Sequence, residues 1–145
     1  MIRKAKPEDV SSIIDMIKEL ADFEKAPNEV VNSVEELQQD LFVEKICAAI
    51  VAEVEEQVVG FALYYYSYST WKGKCVYLED LYVKEDYRTL GLGSLLFDEV
   101  VHIAKTEKVR RMDWQVLEWN THAIKFYQAK QAHLNEEWIN GRLFF

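Results

Sequence analysis

Apolar residues recur at helical spacing near the start of the chain: Val10, Ile13, Ile14, Ile17 and Leu20 line one face and leave the other polar. Pro7 suits the first helical position, and Glu8 and Asp9 sit well against the positive end of the helix. Met1 to Ala5 can form a short strand before it. After a loop holding Pro27 and Asn28, Ser33 and Glu36 stand at capping-box spacing, and Val34, Leu37 and Leu41 give a second helix its apolar face. The pattern then changes. Ala48 to Val54 reads as a strand, Glu55-Glu56-Gln57 as a polar turn, and Val58 to Tyr68 as a longer strand rich in β-branched and aromatic residues. A loop from Ser69 to Lys74 contains Trp71 and Gly73, and Cys75 to Val83 is a further strand. A helix opens at the glycines near position 91 and runs to about Lys105, with Leu96, Val100 and Ile103 on one face. Arg111 to Leu117 reads as a strand, Asn120 can cap a helix bearing Ile124 and Tyr127, and Ala132 to Phe145 reads as two short strands around a polar turn. The order is β-α-α-β-β-β-α-β-α-β-β. It predicts an α/β fold with a mixed, mostly antiparallel sheet and helices on both faces, as a single domain over residues 1–145.

The net charge of −8 makes a phosphate backbone a poor partner and a cation a good one, so no nucleic-acid role is expected. No apolar run reaches the roughly 18 residues of a spanning helix. The basic start, Met1-Ile2-Arg3-Lys4, is not followed by an apolar signal segment, so no membrane association is expected. Cys47 and Cys75 are far apart in apolar stretches, which predicts buried reduced thiols and a cytoplasmic protein. His102, His122 and His133 match no metal-ligand spacing, so no metal is expected.

One segment carries chemistry. The strand Tyr77-Leu78-Glu79-Asp80-Leu81-Tyr82-Val83 runs through Lys84 to Tyr87 into Arg88-x-x-Gly91-x-Gly93, which opens a helix. The first N–H groups of a helix lack internal partners and lie at its positive end, so they bind anions. Glycines let the backbone approach a pyrophosphate, and Arg88 can add a charged contact. By itself the pattern fits either a phosphate cradle or a tight turn with helical glycines. It is neither a Walker loop nor a dinucleotide fingerprint.

Position and company narrow the choice. Arg88 to Gly93 follows the fourth strand and opens the third helix, and Trp119-Asn120 precedes a helix bearing Phe126-Tyr127. Both features, in this order, resemble the GNAT acetyltransferases. Val59 to Tyr65, Tyr77-Leu78-Glu79-Asp80, Glu118-Trp119-Asn120 and Ile17 to Ala21 are similar to the diamine (spermidine/spermine) acetyltransferases. Tyr68 to Lys74 looks more like their thialysine acetyltransferase branch, because the polyamine branch usually has Asp where Ser69 stands.

The resemblance implies acetyl transfer from acetyl-CoA to a small primary amine, by a homodimer. An alkylamine has a pKa of about 10 and arrives protonated; it must lose a proton and the leaving thiolate must gain one. The family pattern makes Glu79 the base, through water, and Tyr127 the proton donor. From the residues alone, Tyr127 reads first as a core aromatic at helical spacing from Ile124, and only the family pattern makes it the proton donor. The pattern further implies that the backbone of Leu81, Tyr82 and Val83 pairs with pantetheine. Arg88, Thr89, Leu90, Gly91, Leu92, Gly93 and Ser94 surround the pyrophosphate, and Asn120 contacts the cofactor arm. Glu24, Glu79, Asp80 and Trp114 are the substrate residues it implies, with Asp113 and Gln115 in the same segment and Glu136 and Glu137 near another acidic position. Ideal alternation sends Glu79 and Asp80 to opposite faces, so both serve one site only if the strand bulges, as it does in that superfamily. Gln131 replaces a Gly common after the fourth helix, which predicts a termination without a left-handed residue. Two rival functions keep the fold: a protein or peptide N-acetyltransferase, and a non-catalytic acyl-CoA-binding module.

Overall fold

The computed structural model describes residues 1–145 and divides into two compact units, Met1–Trp114 and Gln115–Phe145. In the first, the strands are β1 (Ile2–Lys4), β2 (Ala48–Val54), β3 (Gln57–Ser69), β4 (Gly73–Val83) and β5 (Met112–Asp113), and the helices are α1 (Val10–Phe23), α2 (Val34–Phe42) and α3 (Leu92–Thr106). The sheet order is β1-β2-β3-β4-β5. All pairings are antiparallel except β4 with β5, which is parallel. The mixed α/β class expected from the pattern is therefore present.

Alternation along the strands assigns the faces. Val51, Phe61, Leu63 and Tyr82 form one core with Val10, Ile13, Ile14 and Met16 of α1 and Leu37 and Leu41 of α2. The opposite face carries α3. Gly60 explains how closely α3 sits: a Cβ there would lie 3.3 Å from Cδ1 of Leu96 and 3.0 Å from the Tyr82 carbonyl oxygen. A side chain at position 60 would push helix and strand apart.

Local signals place most boundaries. Pro7–Asp9 forms a single 3₁₀ turn before α1, and the Ser33 hydroxyl accepts from the Glu36 N–H at the start of α2. Asp9 is buried and paired: it accepts from Arg3 at 2.7 Å and from the Lys6 N–H at 2.7 Å, while Arg3 also reaches Glu53 at 2.6 Å. Burial alone would push the Asp9 carboxyl up. Its hydrogen bonds to Arg3 and Lys6 outweigh burial and leave it below the usual range. The β2–β3 turn places Glu55 and Glu56 at φ 48° and 64°, the paired left-handed geometry of a tight hairpin.

The second unit contains α4 (Thr121–Ala129), capped by Asn120, whose side chain accepts from the Ala123 N–H at 3.2 Å. Three expectations need correction. The two strands expected over Ala132 to Phe145 are absent; that segment has no regular structure, and the Gln115 side chain donates to Asn140 at 2.8 Å. A strand exists only with a ladder partner, and the run Asn135-Glu136-Glu137 breaks the alternation that would specify one. The strand expected over Arg111 to Leu117 shrinks to Met112–Asp113. Gln131 is left-handed after all, with φ 63°. Its N–H bonds the Gln128 carbonyl at 2.9 Å, and the next N–H, of Ala132, bonds that of Tyr127 at 3.1 Å. These two bonds satisfy the helix-end carbonyls and outweigh the strain of a side chain in that conformation.

Candidate active site

The site starts from an irregularity in β4. Leu63 faces Asp80 across the β3–β4 ladder, but the next β3 residue, Tyr64, faces Leu78. Glu79 is the extra residue, so β4 bulges there. The bulge defeats simple alternation and lets neighbouring carboxylates act on one region, the condition that the sequence reading set for Glu79 and Asp80.

The electrostatics report that convergence. Asp80 is pushed up to about 7, first by burial, then by the charges of Glu79 and Glu24. Glu24, which ends α1, is also raised, by burial and by Glu79. Asp80 lies on the α1 face with its ladder partner Leu63, while Glu79 is exposed on the bulge. The Glu79 charge thus disfavours the ionised forms of Asp80 and Glu24, and a cationic guest would relieve both.

Beyond the bulge β4 changes its neighbours. Its ladder with β5 consists of Val76–Met112 and Tyr77–Asp113. From Leu78 onward β4 continues to pair with β3, through Leu81–Ala62, Tyr82–Phe61 and Val83–Gly60. The other edge of Leu81, Tyr82 and Val83 is therefore not paired with β5, and apart from the Val83 carbonyl, which Arg88 occupies, its backbone groups can meet an extended amide-bearing arm. Pantetheine is such an arm, so the residues present fit that part of acetyl-CoA.

The turn that follows fits the anionic part. Glu85–Leu90 is a 3₁₀ segment, Gly91 has φ 73°, and α3 begins at Leu92. A Cβ on Gly91 would meet nothing within 4 Å, so it is the conformation that requires glycine there. Thr89 and Leu90 are exposed, and Gly93 and Ser94 lie in the first turn of α3, where N–H groups point outward along the axis. Arg88 does a job not foreseen from the sequence. Its Nε donates to the Val83 carbonyl at 2.9 Å and its guanidinium lies 5.4 Å from the Tyr82 ring centroid. Tyr82 in turn donates to Glu19 of α1 at 2.8 Å. The chain Arg88, Tyr82, Glu19 fixes the turn to the end of β4.

The remaining candidates are placed as follows. Trp114 packs edge-on against Phe97 of α3, with centroids 5.4 Å apart. Asp113 pairs with Arg111 at 2.9 Å. Asn120 caps α4, and Tyr127 is buried on that helix, its ring 5.3 Å from Phe126. Glu136 and Glu137 are exposed in the irregular tail. Sequence reasoning gave no role to Tyr65 and Tyr77, which face each other across β3 and β4 and stack at 5.2 Å. Their signal was the placement of Tyr65 two residues beyond Leu63, on the same face of the strand.

Comparison with known proteins supplies the family. The sequence profile of the acetyltransferase (GNAT) family matches residues 14–132. The thialysine N-epsilon-acetyltransferase of Bos taurus is 43% identical over 141 residues, covering 91% of this chain and 83% of the relative. That of Caenorhabditis elegans is 38% identical over 123 residues, covering 85% and 76%. A possible acetyltransferase from Clostridium difficile 630 superposes with a TM-score of 0.81 at 22% identity, covering 100% of this chain and 97% of the other, and so shares the fold. The matched stretch runs through the bulged strand, the glycine turn and α4 alike, and the chain belongs to the acetyltransferase (GNAT) family.

Proposed function

We propose that this protein transfers the acetyl group of acetyl-CoA to a primary amine of a small molecule: a diamine, a polyamine or, best supported, a thialysine-like amino acid. The observation that carries the reading is the convergence of Glu24, Glu79 and Asp80 at the β4 bulge. Relatives named for thialysine acetylation favour the last substrate, and so does Ser69. Its hydroxyl accepts from the N–H groups of Trp71 and Lys72, both at 3.2 Å, and is thereby committed to the hairpin turn. The polyamine branch that the chain resembles usually carries a charged Asp at this turn; Ser adds no charge there.

The carboxylates attract the ammonium and then take its proton. Glu79, exposed on the bulge, passes the proton through water, and Asp80, titrating near 7, is coupled to it at neutral pH. Acetyl-CoA supplies the activated acetyl group when bound. The open edge of Leu81–Val83 and the turn from Thr89 to Ser94 would hold it, and the Asn120 amide N–H groups remain available to its arm while the side-chain oxygen caps α4. The Tyr127 hydroxyl hands its proton to the departing sulfur. Tyr127→Phe accordingly lowers turnover about a hundredfold with acetyl-CoA affinity retained; unchanged turnover would remove Tyr127 from this role.

In the same reading residues 1–145 form one catalytic domain that works in the cytoplasm as a homodimer. The cysteines are unpaired, and Ile139 and Phe144 are exposed enough to invite a covering surface. The test is thiol release from acetyl-CoA with thialysine, lysine, putrescine, spermidine, spermine and a short peptide. Release fastest with thialysine is expected. Release with the peptide alone would transfer the assignment to a peptide acetyltransferase, and binding of acetyl-CoA without any release would make the chain a non-catalytic acyl-CoA-binding module.

A further inference from the structure

We infer that the stacked pair Tyr65–Tyr77 is a second-cation subsite, which holds the non-reacting ammonium of the substrate and so selects diamines and basic amino acids over monoamines. The inference rests on the proposed transferase reading, since it concerns the far end of the same site.

Placement comes first. Tyr65 and Tyr77 are register partners, so their side chains share a face of the sheet, and their rings stack with centroids 5.2 Å apart and planes 28° apart. That face is the one carrying Leu63 and Asp80, because Tyr65 follows Leu63 by two residues. Both rings are half-buried, which leaves ring surface for a ligand to cover. The same row continues into β5, where Asp113 is the register partner of Tyr77. An aromatic surface thus lies between Glu79 and Asp80 along the strand and Asp113 across it. Aromatic faces attract cations, and flanking carboxylates strengthen that attraction. Arg111 offsets part of the Asp113 charge, leaving the Glu79 side the more negative.

Electrostatic reach agrees with the placement. Burial and the charge of Glu79 both raise the Tyr65 hydroxyl, which keeps it a neutral donor beside that carboxylate. The opposite face of the hairpin displays the same grouping with a protein cation in it. Lys74 Nζ lies 4.1 Å from the Tyr66 ring centroid and 3.1 Å from Glu107. Tyr65 with Glu79 repeats the aromatic and carboxylate members on the α1 face.

Length supplies the substrate class. Two residues of strand span about 7 Å, the separation from the bulge to the aromatic pair. An extended alkyl or thioether chain of four to six atoms separates two ammonium groups by a similar distance. A reacting amine at Glu79 and Asp80 therefore puts a second ammonium over Tyr65.

The experiment compares 1,5-diaminopentane with n-pentylamine as acetyl acceptors for the full chain, in wild type, Tyr65→Leu and Tyr65→Phe. The expected result is a kcat/KM ratio of diamine to monoamine that falls about tenfold in Tyr65→Leu and stays within about twofold in Tyr65→Phe, which keeps the ring. An unchanged ratio in Tyr65→Leu, or an equal loss on both amines, would overturn the inference. Acetyl-CoA affinity and melting temperature report whether each variant folds. A measurement on wild type alone covers the case in which Tyr65→Leu does not. A trimethylammonium group donates no hydrogen bond but still binds an aromatic face, so (5-aminopentyl)trimethylammonium should surpass n-pentylamine. Poorer acetylation of it than of n-pentylamine would also overturn the subsite. If wild type acetylates no amine, the transferase reading falls and the subsite with it. If it acetylates both amines equally, the subsite alone falls.

Discussion

The two halves of β4 differ in what surrounds them. From Gly73 to Tyr77 the strand is paired with β3, and at Val76 and Tyr77 with β5 as well; Cys75 and Val76 are fully buried. From Leu78 to Val83 it pairs with β3 but leaves β5 behind, bulges at Glu79, and carries a half-buried carboxylate at Asp80. The first half satisfies its backbone and buries apolar area, as a strand does for stability. The second keeps backbone edge and charge in places where stability alone would remove both. Local structure that folding alone would avoid is a reason to look for function there.

The largest effect should follow from a change in the opened half that keeps its shape. Glu79→Gln removes one charge and the proposed base, and kcat should fall by about a hundredfold or more with little change in melting temperature. A loss of folding in place of turnover would show that Glu79 is structural. Asp80→Asn sharpens the same point through pH. The folded chain raises the Asp80 pKa to about 7, so it holds a proton that the unfolded chain has already lost. Stability associated with this group is therefore present below the unfolded pKa of about 4 and is lost as pH rises through about 7. Asp80→Asn should leave stability nearly unchanged at pH 4 and gain about 2 kcal/mol at pH 8, allowing for partial exposure. The wild-type rate should rise as pH passes through about 7, and that rise should flatten in the variant. Equal melting temperatures of both proteins at pH 8 would show that Asp80 carries no strain.

The paired half should respond the other way. Val76 is fully buried on the α3 face, and Val76→Ala removes two methylene equivalents from a packed site. Stability should drop by about 2 kcal/mol, with kcat/KM unchanged below the new melting transition. A fall in turnover at full folding would mean that the two halves are coupled.

The sequence made the regular parts legible because they are periodic. The face of α1, the Ser33 cap and the limits of β2 all follow from spacing and capping chemistry. The bulge was legible only as a condition, since pairing register depends on the partner strand and on nothing local to Glu79. The shortness of β5 has the same origin: its ladder ends where β4 begins to bulge. Gln131 misled because a side chain disfavours a left-handed residue by only about 1 kcal/mol, less than two helix-end hydrogen bonds restore. Lys25 and Lys108 end α1 and α3 in the same way, with φ 62° and 57°. The absence of glycine at a helix end was thus weak evidence in this chain.

The smallest effect separates strain from function. Gly73 opens β4 with φ 94°, and Gly91 follows its far end with φ 73°. A Cβ at either would meet nothing within 4 Å, so alanine adds conformational strain and no clash. Each of Gly73→Ala and Gly91→Ala should therefore lower stability by about 1 kcal/mol, and by similar amounts. Binding should not respond equally. Gly91 lies where the turn meets the N-terminus of α3, so acetyl-CoA affinity should fall several-fold for Gly91→Ala and stay unchanged for Gly73→Ala. Titration of both variants with CoA, well below their melting temperatures, makes the comparison. Equal loss of affinity would mean that strain anywhere along β4 reaches the cofactor, and the two halves would then have to be treated as one cooperative element.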